Sequence, residues 1–291
     1  MPDFSALCAA SSTKANTMRK KLLLLLALGA LLPSCASFDG ERSGNAVLSS
    51  NNDPVILFNE EQERALGRQT AAAALKQYKV YDNAAVQAYV SGLGKRLAAN
   101  SDRANLAYEF TVLDSKDVNA FACPGGFIFV TTGILKSLKD EAELSAVLGH
   151  EIGHVVRQHS LKRMQRQFIA ENGLGVLGAL VGGRTAALLG QFGPLASNLL
   201  MLRNGREAEL ESDEQGLLIA SRSGLAPDGM VGVQQMLLKQ SGASQGSVAE
   251  MLASHPPSEQ RIQQAEKLLP KYQGASDRGA QRYQDNVLKR L

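Results

Sequence analysis

Gly149-His150-Glu151-Ile152-Gly153-His154-Val155 is the stretch on which the reading of this 291-residue chain turns. The whole sequence holds four histidines, and two of them stand here, four residues apart. The surrounding run from Glu141 to about Ile169 has helical periodicity. Positions four apart differ by about 40° around a helix, so both imidazoles leave one face, one turn apart. Two ring nitrogens so disposed suit a Zn²⁺ ion. Glu151, offset by about 100°, is in reach of a water held by such an ion and can act as general base. A catalytic zinc also needs a third protein ligand and an open position.

His159 is the nearest candidate for that ligand. It lies about 140° further round a continuous helix, which points it elsewhere and makes it a surface or hydrogen-bonding residue. The metzincin pattern asks for histidine six residues after the second ligand and glycine three after it; Ser160 and Arg157 stand there instead. The remaining supplier is a carboxylate from a downstream helix, the gluzincin arrangement. The acid-rich run Arg206-Glu207-Ala208-Glu209-Leu210-Glu211-Ser212-Asp213-Glu214-Gln215-Gly216 offers one. Glu209 and Asp213 share a helix face, which suits Glu209 as zinc ligand and Asp213 as the partner that orients a ligand histidine. Ser212 and Gly216 form a small-residue stripe that lets another helix approach closely. Spacing alone does not separate this reading from a solvated acidic face, the role expected of Glu207, Glu211 and Glu214.

Composition narrows the function from another side. The chain is 44% hydrophobic and 20% charged, ordinary for a globular protein, with 5% aromatic residues, no tryptophan and a formal charge of +3. Residues 1–34 hold Lys14, Arg19, Lys20 and Lys21 against Asp3. Without them Lys+Arg falls from 31 to 27 and Asp+Glu from 28 to 27, a formally neutral remainder. A nucleic-acid partner is not expected of such a chain.

The N-terminus reads as an address. Basic Met18-Arg19-Lys20-Lys21 precedes the apolar run Leu22 to Leu32, and Leu32-Pro33-Ser34-Cys35 closes it. This is an export signal, too short for a membrane span. Residues 1–17 are either a start-site over-call, with the true start at Met18, or an extension of the signal. The segment resembles a bacterial lipoprotein signal, which implies a lipid on Cys35. An ordinary signal with an incidental cysteine is the alternative. Ala36 after the cysteine favours, by analogy with lipoprotein sorting, the inner leaflet of the outer membrane. Cys8 falls in the removed segment, so Cys123 has no partner and reads as a small buried hydrophobe.

The rest of the chain divides into a tether over 35–54, a domain over 55–270 and a polar tail over 271–291 with low core content. Helices are expected from Asn59, from Asn83 to about Ala99, from Arg206 to about Ser221 and from Pro227 to Lys239. Strands are expected at Tyr108 to Leu113 and Gly126 to Thr131, joined by a polar loop from Asp114 to Pro124. The class is α+β, mainly α, with an HExxH helix and a small sheet. The Gly-rich apolar stretch from Asn172 to Met201 admits several readings: lid, membrane-surface hairpin, substrate groove or core helices beside the metal.

Four motifs carry a resemblance to a known family. They are Gly149 to Val155 followed by His159-Ser160; Glu209-Leu210-Glu211-Ser212-Asp213; Ser254-His255-Pro256-Pro257-Ser258-Glu259-Gln260-Arg261-Ile262; and Asn119-Ala120-Phe121-Ala122-Cys123-Pro124-Gly125-Gly126. Together they resemble the HtpX/BepA-type membrane-associated zinc metalloproteases, relatives of the Oma-type and CAAX prenyl proteases, and most closely the small periplasmic lipoprotein members. The resemblance runs from about Asn59 to Leu268. Ser212 stands where the family has Ala, and Cys123 where Leu is common. It implies a gluzincin-type domain with one Zn²⁺ per chain, held by His150, His154 and Glu209, and with Glu151 as catalytic base. His255 is implied near the metal, capping its open position or stabilising the oxyanion; the plain alternative is a helix N-terminal histidine before Pro-Pro. No TPR-like repeat follows Leu268.

The function implied is a zinc endopeptidase of the bacterial cell envelope that degrades unfolded or misassembled outer-membrane proteins. Gly126 to Thr131 is the expected edge strand on which extended substrate would pair, with an internal core strand as the alternative. A lipoprotein chaperone or assembly factor with a latent metal site is the competing class.

Overall fold

The computed structural model describes residues 56–173, 185, 187, 189–192, 204–241, 248–272 and 275–291. The export signal, Cys35, the tether and most of the stretch from Asn172 to Met201 lie outside the described residues.

Helix α1 (Glu60–Gln77) starts where the acid-rich turn places it. The Asn59 side chain accepts from Gln62 N at 2.8 Å and Gln62 Oε1 accepts from Asn59 N at 3.1 Å, a reciprocal cap. Helix α2 (Ala84–Ala98) is capped by Asn83 and buries Val86, Val90, Leu93 and Leu97 along one face. Between and after them run β1 (Lys79–Val80), β2 (Glu109–Asp114), β3 (Ala120–Cys123) and β4 (Phe127–Thr131) in the sheet order β1-β2-β4-β3. β2 is parallel to β4, and the other two pairings are antiparallel.

This order corrects two expectations. β4 does not lie at an edge; it is paired on both sides, and β3 is the edge strand. Phe127 and Phe129 meet α1 on one face of the sheet while Ile128 and Val130 meet the main core on the other. A run apolar on both faces is the mark of an internal strand. The expected polar loop holds β3 itself, whose Ala120 and Ala122 have little strand propensity and are ordered by pairing with β4. The tight turn between β3 and β4 needs its glycines, since Gly125 has φ 71° and Gly126 φ 90°. Helix α1 seats on this turn so closely that a Cβ on Gly67 would lie 1.9 Å from the Pro124 carbonyl oxygen.

After the short α3 (Thr132–Ser137) comes α4 (Glu141–Val156), capped by Asp140 and buried along nearly its whole length. The single long helix expected to Ile169 is broken here. Gln158 adopts φ 53°, ψ 35°, and α5 (His159–Asn172) sets off in a new direction. The cause is tertiary, because the Gln158 side chain donates to the buried carboxylate of Glu63, which also pairs with Arg103.

Helix α6 (Arg206–Arg222) lies against α4 along the expected small-residue stripe. A Cβ on Gly149 would approach the Gly216 Cα to 3.0 Å, and one on Gly153 the Ser212 Cα to 3.0 Å. Then follow α7 (Gly229–Ser241), α8 (Ala249–Ser254) and α9 (Glu259–Leu268).

The polar tail is more than a tail. Helix α10 (Ala280–Asn286) fully buries Tyr283, whose hydroxyl donates to Leu135 O, and Val287 is equally buried. Tyr283, Val287 and Leu291 are four apart and pack into the core as a thin stripe within polar sequence. Among the described residues no helix is long and apolar enough to cross a membrane.

Candidate metal centre

α4 supplies His150, Glu151 and His154, and α6 supplies Glu209 and Asp213. His255 stands at the C-terminal end of α8, where Pro256 and Pro257 stop the helix; it is not at a helix N-terminus. His150, His154, Glu209 and His255 each offer one ligand atom, all buried and within 4.8 Å of one another. His150 Nε2 lies 3.0 Å from His154 Nε2, 3.2 Å from His255 Nδ1 and 3.5 Å from Glu209 Oε2. His154 Nε2 lies 3.4 Å from Glu209 Oε1. Tetrahedral zinc with bonds of about 2.0–2.1 Å separates its ligand atoms by about 3.3 Å, so the donor set fits.

The charge balance fits as well. Glu151, Glu209 and Asp213 are buried, and Arg261 is the guanidinium buried with them. With the imidazoles neutral, as metal ligands must be, three carboxylates against one guanidinium leave a formal deficit of two, which a divalent cation matches. Among the described residues neither Glu151 oxygen has a hydrogen-bond partner, the nearest basic group being His255 Nε2 at 3.7 Å. Burial raises the Glu151 carboxyl above its ordinary range.

The two helix histidines are held differently. His150 Nδ1 meets Asp213 Oδ1 at 2.9 Å, and Asp213 is gripped by Arg261 through two bonds of 2.7 Å. Burial works against the charged Asp213, but Arg261 and then His150 hold its carboxyl below the ordinary value. Burial likewise opposes a charged His150, yet Asp213 and Glu209 raise it to about 10. Burial dominates at His154 and pushes it well down. Glu209 is held low, against its burial, by His255, His150 and His154.

His154 rests on His159. The break at Gln158 turns His159 back toward the centre, so that its Nδ1 lies 2.8 Å from His154 Nδ1 and its Nε2 3.1 Å from Glu211 Oε2. It is therefore a hydrogen-bonding residue, outside the four-ligand group, but it does not point elsewhere. Glu207 is exposed, as a solvated face requires. Glu211 and Glu214 are not idle, the latter pairing with Lys271 and Tyr272.

Arg261, which also lies 2.7 Å from Glu209, had no role legible in the sequence, although its motif stood out. Asn204 was not visible at all: its amide nitrogen lies 3.5 Å from His154 Nε2 while its oxygen accepts from Arg163.

Two cavities flank the centre. One, a narrow cleft, is lined by Ala122, Cys123, His154 and Leu161 beside the edge strand. The other, equally narrow, sets Val147, Val233, Leu237 and Met251 against Glu151 and His255.

Residues 84–269 match peptidase family M48. The chain is 31% identical over 217 residues to the beta-barrel assembly-enhancing protease of Yersinia pestis, covering 70% of this chain and 43% of that protein. It is 29% identical over 250 residues to the metalloprotease YcaL of Escherichia coli, covering 84% and 94%. To the mitochondrial metalloendopeptidase OMA1 of Schizosaccharomyces pombe it is 33% identical over 190 residues, covering 64% and 53%. The chain thus spans less than half of the Yersinia protein and about half of the yeast one, but nearly all of YcaL. By the extent of the family match, the chain belongs to peptidase family M48 and is a metalloprotease.

Proposed function

We propose that the protein is a zinc-dependent endopeptidase of the bacterial cell envelope that cleaves unfolded or misassembled outer-membrane proteins. The observation that carries this is the convergence of His150, His154 and Glu209 beside Glu151, a buried carboxylate with no hydrogen-bond partner among the described residues. In this reading His150, His154 and Glu209 hold the zinc and Asp213 orients His150. When bound, the ion supplies Lewis acidity that activates water and polarises the scissile carbonyl. Glu151 takes a proton from the attacking water as its oxygen bonds to the carbonyl carbon, then delivers that proton to the amine as the C–N bond breaks. A carboxyl raised by burial suits both halves of that task.

His255 has two possible places in the cycle. In the resting protein its Nδ1 would complete the donor set; moved aside, the ring would donate to the carbonyl oxygen. The edge strand β3, rather than β4, is the surface for extended substrate. Backbone pairing needs an unfolded segment, which fits denatured clients. The name of the Yersinia relative, a beta-barrel assembly-enhancing protease, supports the client class. Lipidation of Cys35 would tether the domain to the inner leaflet of the outer membrane.

A second reading, a chaperone or assembly factor with a latent metal site, draws on His255 completing the four-ligand group. One experiment separates the two. A soluble form lacking residues 1–35 is given casein, with Glu151→Gln alongside. Cleavage reduced about 10²- to 10⁴-fold in the variant, with zinc content unchanged, is the expected outcome. No cleavage by either, with both suppressing client aggregation, would favour the second reading.

A further inference from the structure

His154 is backed by a second imidazole where His150 is backed by a carboxylate. The hydrogen-bonding inventory fixes what that arrangement can mean. A neutral imidazole has one N–H and one lone pair. If His154 turns the Nε2 lone pair toward the metal centre, its proton must sit on Nδ1. His159 Nδ1, 2.8 Å away, must then accept, so the His159 proton sits on Nε2 and is donated to Glu211 Oε2 at 3.1 Å. Each protonation choice compels the next, and the chain ends on a carboxylate that needs no further donor. Ser212 Oγ lies 3.4 Å from the same His159 Nδ1, whose single lone pair is already engaged by His154, so it stands only as a neighbour on the α6 side. The chain spans three helices and exists only because the left-handed Gln158 turns α5 back on α4.

We propose that His159 is the positioning residue of the centre: it fixes the ring orientation and tautomer of His154, with Glu211 fixing His159 in turn. This rests on the metal-centre reading above. His159 and Glu211 contribute unequally. His159 is buried, and no solvent can replace its acceptor, whereas Glu211 is 37% exposed and water can stand in for it.

The test measures Zn²⁺ affinity of the full-length protein by competition with a chromogenic chelator, together with the visible spectrum of the Co²⁺-loaded forms. His159→Leu removes the acceptor, His159→Asn restores one near the Nδ1 position, and His154→Ala calibrates the loss of a ligand. His159→Leu is expected to weaken zinc about 10- to 100-fold and shift the Co²⁺ bands, the scale at which outer partners of ligand histidines act. His159→Asn is expected to recover most of the affinity, and Glu211→Ala to cost several-fold less than His159→Leu. Zinc bound by His159→Leu as tightly as by the parent would overturn the proposal. So would His159→Asn as weak as His159→Leu, since volume rather than the acceptor would then be what mattered. If His159→Leu does not fold, His159→Ala takes its place, and the same two outcomes relative to the parent and to His159→Asn decide. A parent that binds no zinc, or a His154→Ala that binds it unchanged, would instead sink the metal centre itself, and this proposal with it.

Discussion

Two of the regions that build the centre are very unlike. His150, Glu151 and His154 stand on a 16-residue helix that is buried almost throughout and clamped to α6 with glycine against glycine. His255 ends a six-residue helix that stops at Pro-Pro, and its backbone N–H is tied to Met251 O. A rigid platform fixes its side chains by packing, whereas a short corner fixes them only as far as its few contacts reach. The lesson is that His150 and His154 are set by the packing of a whole helix, whereas His255 is set by its few contacts with Met251, His150 and Glu209.

The largest expected contrast follows directly. His154→Ala should weaken zinc by more than about a hundred-fold, beyond what outer partners are worth, while His255→Ala should stay within about ten-fold of the parent. Isothermal titration of both would break the comparison if the two losses were equal. Arg261→Ala is next. It strips the buried counter-charge from Asp213 and Glu209, and should lower stability by about 3–5 kcal/mol in denaturant unfolding of the metal-free protein. A loss under about 1 kcal/mol would mean that the carboxylates are relieved another way.

The platform itself is tested by glycine. Gly149→Val pushes a branched side chain at the α6 backbone and should cost about 1–3 kcal/mol. Gly92→Ala, an exposed helical position with nothing within 4 Å, should gain about 0.5–1 kcal/mol. Equal effects would deny that the helix contact is tight. A further test is in pH. His150 is raised to about 10, so its contribution to metal-free stability is full below 6.5 and is lost as pH rises toward 10. His154 is lowered, so the unfolded chain takes up its proton first and stability is lost as pH falls below 6.5. Metal-free melting temperature should therefore peak near the ordinary histidine value, and His150→Gln should flatten only the alkaline side.

Much of this was legible in the sequence where the cause is local or periodic. Asn59 and Asn83 announce their helices as caps, four-residue spacing puts His150 beside His154 and Glu209 beside Asp213, and Ser212 and Gly216 foretell close packing. What was not legible depends on partners far along the chain. The break at Gln158 is held by Glu63, 95 residues away, and no local signal marks it. A continuous helix therefore sent His159 off in the wrong direction. β3 is a strand because β4 pairs with it, and Arg261 matters because its helix meets Asp213. The internal place of β4, by contrast, was readable: Phe127 to Val130 is apolar on both faces, which an edge strand seldom is.

The docking of residues 275–291 has a kinetic consequence. Tyr283 bonds to Leu135 across 148 positions, Arg282 to Glu141 across 141 and Arg278 to Asp140 across 138. These contacts secure the N-terminal end of the helix that bears His150 and His154. A chain emerging from its N-terminus can form that helix early, but cannot seal its base until nearly 150 further residues have followed. Contacts of such high order form late and slowly. The metal-facing residues are thus finished among the last parts of the domain to be locked, after the sheet beneath them has had time to form.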